Sequence, residues 1–361
     1  MMKWKKTGIA VLLVLACILG CASASAESVN VVNPKGTVLV EGAEVLTNAD
    51  GIKYVDLGNG FELYGGADGV LGTVDDIVQN FGSYPQSDVT GAVKDPLNWR
   101  LLDIKDGAAT LIADKVVNAV FFNVDAKAGV DWKSSNLRSW LNSRGGVSYK
   151  GDTVGFYDAA FTAEEKEKIL LTNVRMDYSN YEQWDYTTHP AEFHGTRGNY
   201  PVFNKLKDYY AENDTTGLSQ REQFEASIIY AWDLHSTTGE ATDDYVYAIS
   251  GEEVFEYFGE CDASRYEGWP TWMLDYYTNG YFNCSEYALA QGAKINGGSQ
   301  PSFYYFADTW TRSPGAIKED GTCTGVSFAT NGDINFGRDV NVVQNDTTYG
   351  ALPMIRVNLG K

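Results

Sequence analysis

The chain has 361 residues, a formal net charge of −20, and hydrophobic and aromatic fractions of 44% and 13%. That hydrophobic content suffices to bury a core and excludes a disordered chain. The charge repels phosphate backbones, and the lysines and arginines are scattered rather than gathered into a basic stripe, which excludes nucleic acid as a partner. Residues 1–26 read as an export signal: Lys3, Lys5 and Lys6 supply a positive end, and Gly8 to Leu19 form an apolar run too short to span a bilayer. Ala24-Ser25-Ala26 has the small-x-small pattern of a signal-peptidase site, while Ile18-Leu19-Gly20-Cys21 looks like a lipobox with Cys21 as the acylated residue. Either route leads to an extracellular or envelope-associated protein that meets the membrane only through a lipid anchor.

Beyond the signal, Val29–Val32, Thr37–Val40, Lys53–Leu57 and Phe61–Tyr64 are short β-rich runs separated by Gly, Asn and Asp. They predict a small β subdomain over residues 27–80. Gly65 to Asp76 follows as a Gly- and Asp-rich loop in which Asp68, Asp75 and Asp76 are candidate calcium ligands, since hard cations need clustered carboxylates. The same composition is ordinary turn chemistry, and the spacing does not match an EF-hand.

Trp99–Ile104 and Ala109–Ala113 flank Gly107 and predict a hairpin with an Asp-Gly turn. Ser134-Ser135-Asn136 can cap a helix near Leu137, whose apolar face holds Leu137, Trp140 and Leu141 with Arg138 facing away. Thr162 with Glu165 is a capping box opening a helix through about Leu171, and Ser250 with Glu253 repeats the device before Val254. From Thr324 onward the pattern returns to short strands with Asn-Gly turns, as at Asn331-Gly332.

Phe81–Gln86, Trp99–Asp103, Trp132–Asn142, Phe156–Phe161, Asp244–Ser250 and Thr311–Gly315, in that order, resemble a bacterial family catalogued as a domain of unknown function. The resemblance covers residues from about Phe81 to the C-terminus. The family's closing Arg-Pro is replaced here by Leu352-Pro353-Met354-Ile355-Arg356-Val357. The resemblance implies, at the level of fold, a C-type-lectin-like domain of the kind found in formylglycine-generating enzymes, without their catalytic cysteine pair. The expected class is therefore α+β: a small β subdomain, then one compact, loop-rich, lectin-like domain over residues 81–361.

If cleavage follows Ala26, Cys261, Cys284 and Cys323 remain, allowing one disulfide of open pairing and one free thiol. His189 and His194 flank a carboxylate, but Pro190 argues for a loop without helical ligand spacing. No catalytic residue is assigned. Trp269, Trp272, Tyr276, Tyr277, Tyr281 and Phe282 crowd a Gly- and Asn-rich segment, followed by Tyr304, Tyr305 and Trp310. Aromatic faces stack on sugars or anchor protein partners, so Trp269, Trp272, Tyr276, Tyr277, Trp310 and Arg312 are the candidate ligand-binding residues. The expected function is non-enzymatic recognition of a glycan or protein ligand. A glycan hydrolase using paired carboxylates, or a structural surface protein without a small ligand, are the alternatives.

Overall fold

Two tight hairpins seed the main sheet of the computed structural model, which describes residues 26–124, 132–174, 241–258, 282–293, 309–317, 323–328, 334–339 and 349–361. Lys53–Gly58 and Phe61–Tyr64 are joined through Asn59 (φ 51°) and Gly60 (φ 80°). Trp99–Lys105 and Ala108–Ala113 are joined through Asp106 (φ 52°) and Gly107 (φ 71°). Asn-Gly and Asp-Gly accept the left-handed backbone whose twist matches that of the flanking strands.

These hairpins belong to one eight-stranded sheet. Its order is Val246–Ala248, Pro353–Asn358, Ala108–Ala113, Trp99–Lys105, Ile77–Val78, Phe61–Tyr64, Lys53–Gly58, Leu46–Thr47, with every pair antiparallel. Strands from the N-terminal stretch and from the C-terminus thus share a single sheet. One face carries the cross-strand row Val55, Leu63, Val78, Trp99, Ala113, all buried. Phe61, Phe81, Phe156 and Phe161 pack ring against ring beneath that face, and Trp99 satisfies its indole N–H on the Phe81 carbonyl at 2.7 Å. A Ser28–Val32/Val38–Glu44 ribbon precedes this sheet.

A second, five-stranded sheet orders Asn118–Ala119, Gly350–Ala351, Thr309–Ile317, Cys323–Phe328 and Ile334–Asp339. Trp310 sits at its heart, donating to the Val120 carbonyl and packing edge-on against Phe122 and Tyr349.

The α+β expectation is corrected here: the described residues are mainly β-sheet, and their helices run only five to seven residues. The capping signals were sound, but the helix expected from Thr162 through about Leu171 is shorter than that. Thr162 and Glu165 form the reciprocal box, yet the helix is Ala163–Lys168 and buries none of its residues. With no apolar stripe to extend it, it stops at Ile169, which bridges to Val357 of the main sheet. Gly251–Tyr257 begins at the expected Ser250–Glu253 box. Glu286–Gln291, capped by Ser285, is a further short helix.

The Asn136–Leu141 helix buries Leu137, Trp140 and Leu141 as expected. Arg138, on its other side, is no free surface cation. Its Nε donates to both oxygens of Asp244, at 2.9 and 3.0 Å. Asp244 is fully buried and also accepts from Trp132 Nε1 at 3.0 Å and Thr242 Oγ at 2.6 Å, with Arg144 at 3.6 Å. This carboxylate lies in the Thr242–Asp244 strand, which pairs with Thr172–Val174 so that Val174 faces Thr242. Residues 175–241 therefore depart from and return to one antiparallel ladder. The Phe258 and Phe282 rings, which flank residues 259–281 in sequence, meet edge-to-face at 5.5 Å.

Candidate functional site

The second face of the main sheet is where sequence alternation becomes a site. Leu46, Tyr54, Tyr64, Ile77, Arg100, Ile112, Met354 and Tyr247 are successive directly paired residues, forming one row across all eight strands. Directly paired residues point to the same face, so these side chains share a surface. The row changes character along its length. Ile112, Met354 and Tyr247 are buried, whereas Leu46, Tyr54, Tyr64, Ile77 and Arg100 reach solvent in part.

At the boundary, the Arg100 guanidinium is held at 2.9 Å by Asp114 and lies 4.5 Å from the centre of the Phe282 ring. On the covered side, Arg312 sits 5.7 Å over the Tyr247 ring, and burial pushes the Tyr247 hydroxyl far up.

The open side is built by the first hairpin. Tyr54 and Tyr64 stack at 5.7 Å with ring planes 30° apart. One step along the same face, Asp56 is paired directly with Glu62. The four residues make a two-by-two patch of tyrosines and carboxylates. Tyr64 donates its hydroxyl to Glu62 Oε2. That hydrogen bond, with burial and the carboxylate's charge, pushes Tyr64 up to about 12 against an opposing hydrogen bond with Asn48. Asp56 Oδ1 accepts from the Gly58 amide at 2.8 Å. Among the described residues neither carboxylate has an ion-pair partner.

The pairing of Asp56 with Glu62 depends on a bulge. Gly58 faces Phe61 and Asp56 faces Glu62, leaving Leu57 as the extra residue. Gly58 is at φ 103°, and a Cβ there would lie 2.4 Å from the Leu359 carbonyl oxygen, so only glycine fits. The residue types were legible in the sequence as β-rich runs around Asn59-Gly60. Their register was not, because the bulge answers to a carbonyl about three hundred residues away in sequence.

The residues singled out from the sequence lie in several places. Trp269, Trp272, Tyr276, Tyr277 and Cys21 lie outside the described residues, as do His189, His194 and Cys261. Trp310 and Arg312 are both buried, and Arg312 donates to the Ala248 carbonyl at 2.8 Å and pairs with Glu253, joining a strand to the capping box. Cys284 is a buried free thiol, pushed up to about 12 by burial.

The Asp68 to Asp76 loop directs its carboxylates at its own turn. Asp68 accepts from the Val70 amide, Asp75 from the Asp68 amide and Thr73 hydroxyl, and Asp76 from the Gly72 amide at 2.8 Å. Burial pushes Asp76 up to about 6. Burial also works to raise Asp75, but hydrogen bonds from Thr73 and from backbone amides outweigh it and hold that carboxyl below its usual range. Among the described residues no group of three or more His, Cys, Asp or Glu side chains is arranged to hold a metal.

Residues 106–197 match the family model described as "Domain of unknown function (DUF6273)". This stretch takes in the Ala108–Ala113 strand, the Asn136–Leu141 helix and the Thr162 capping box. No curated protein and no solved structure matches the chain. Among the described residues no helix is long and apolar enough to cross a membrane.

Proposed function

We propose that this is a secreted or envelope-anchored recognition protein that binds a glycan or protein ligand through an aromatic-rich surface, without catalysing a reaction. One observation carries the reading. The stacked, partly exposed Tyr54 and Tyr64 beside Asp56 and Glu62 stand on a sheet whose opposite face buries Val55, Leu63, Val78, Trp99 and Ala113, so a packed floor presents them. Rigid tyrosines bring large amphipathic contact area at low entropic cost, and carboxylates accept hydrogen bonds from hydroxyl, amide or cationic groups. Phe282, which follows the Trp- and Tyr-rich stretch 259–281 in sequence, packs on Arg100 of the same face, two strands from Tyr64 and so roughly 10 Å away.

The test is a glycan-array and protein-partner screen with the mature chain, with and without calcium. Tyr54→Ala/Tyr64→Ala and Trp269→Ala/Trp272→Ala variants, checked for intact folding, accompany it. Specific binding lost in either folded variant supports the reading, and calcium dependence would assign Asp68, Asp75 and Asp76 a ligand role. Binding indifferent to both variants sinks it, and turnover of a polysaccharide that depends on Glu62 would replace recognition by hydrolysis. The mass of the mature N-terminus separates cleavage after Ala26 from acylation at Cys21.

A further inference from the structure

The geometry points to a basic segment of a protein partner as the ligand of the Tyr54, Asp56, Glu62, Tyr64 patch: a lysine or arginine side chain lying across the tyrosine pair with its cationic head at the two carboxylates. This rests on the recognition reading and names its partner.

Like charges directly opposite each other on one face of an antiparallel pair oppose folding. Asp56 and Glu62 occupy such positions, and among the described residues no cation is paired with either. The arrangement is also enforced, since the bulge at Leu57 and Gly58 brings Asp56 rather than Leu57 opposite Glu62, and Gly58 has no room for a side chain. A ligand cation placed there turns the repulsion into two charge-assisted hydrogen bonds.

The tyrosines favour the same occupant. Each ring gives a face to the other at 5.7 Å, which leaves less free face for a sugar ring to stack on. An extended aliphatic stem ending in an ammonium or guanidinium group needs only a flat, partly apolar strip with electron-rich rings beside it. The overall charge of −20 draws cationic partners toward the protein before any contact forms.

The experiment is calorimetric titration of the mature chain at low ionic strength with a lysine-rich peptide, a glutamate-rich peptide of equal length and a glucosamine oligomer. Wild type, Asp56→Asn/Glu62→Gln and Tyr54→Ala are compared. Both polar replacements keep an acceptor oxygen for the Gly58 amide and the Tyr64 hydroxyl, so the double variant is expected to melt at or above the wild-type temperature. The proposal expects the lysine peptide to bind wild type and to bind each variant about tenfold or more weakly. Equal affinity for wild type and the double variant would reduce the binding to net charge and overturn it, as would no binding to wild type. Preference for the glucosamine oligomer through these same residues also overturns the protein-partner assignment while leaving the recognition reading in place. If the array and partner screen also show no aromatic-dependent ligand, the recognition reading itself falls.

Discussion

Asp244 and the Asp56–Glu62 pair show two opposite treatments of a carboxylate in one molecule. Asp244 has no exposure, and Arg138, Trp132, Thr242 and Arg144 converge on it from the Asn136–Leu141 helix, its flanks and its own strand. Asp56 and Glu62 reach solvent and face each other, and among the described residues they have one amide and one phenol as hydrogen-bond donors and no cation. A fold that closes a ladder spends its cations on the buried charge, because an unpaired one there costs several kcal/mol. An exposed like-charged pair is tolerable in water and stays available to something outside the chain.

The comparison is broken most directly at its structural end. Asp244→Ala leaves Arg138 and the Trp132 indole without their acceptor and is expected to cost about 3–5 kcal/mol in urea denaturation. A loss under about 1 kcal/mol would mean that the network is replaced by water and that Asp244 does not pin the Val174–Thr242 ladder.

Asp76 stands between the two extremes: it is buried like Asp244, yet among the described residues it has no ion-pair partner. With its folded-state value raised to about 6, the protonated form suits the fold. Its favourable contribution is complete below the ordinary aspartate range and is lost as pH rises through about 6. Wild type is expected to lose on the order of 2 kcal/mol between pH 4 and pH 7 from this group, and Asp76→Asn should flatten that slope. Urea midpoints across the range check it. An unchanged slope in the variant would mean that water or a cation reaches the carboxylate.

How much of this was legible in the sequence depends on whether the cause is local. The Asn59-Gly60 and Asp106-Gly107 hairpins, the Ser135 cap and the Thr162–Glu165 box follow from neighbouring residues, and all four are in the structure. The eight-stranded sheet is not local. Pro353–Asn358 enters between Ala108–Ala113 and Val246–Ala248, and no periodicity announces which strands far apart in sequence will pair. The same limit hid the site. Tyr54, Asp56, Glu62 and Tyr64 lie in the β-rich runs Lys53–Leu57 and Phe61–Tyr64, but their facing depends on the Gly58 bulge against Leu359. Arg312 and Trp310 illustrate the converse. Aromatic and cationic character drew attention to them as ligand contacts, and tertiary packing buries both.

At the exposed end the expected effects are small and opposite in sign. Asp56→Asn relieves a cross-strand repulsion and should stabilise by roughly 0.2–1 kcal/mol at low ionic strength, with the gain fading in concentrated salt. A salt-independent loss of stability would show that repulsion between Asp56 and Glu62 does not govern the effect of the substitution.

The finest probe of the patch is the Tyr64 phenol. Glu62 raises it to about 12 through the hydrogen bond it accepts and through its charge, on top of burial. Glu62→Gln keeps an acceptor but removes the charge, so the Tyr64 ionisation should move down toward the ordinary value near 10. Carbon-13-labelled tyrosine in NMR titrations can follow Tyr64 among the 23 tyrosines of the chain. Because the folded value is raised, the neutral phenol favours the fold. That contribution is intact below about pH 10 and disappears as pH climbs from 10 to 12, a window that should narrow in the variant. A bound lysine or arginine would oppose the carboxylate's charge and lower the Tyr64 value in wild type, but much less in Glu62→Gln. The same resonance therefore reports both the strain in the empty patch and its relief by a cation.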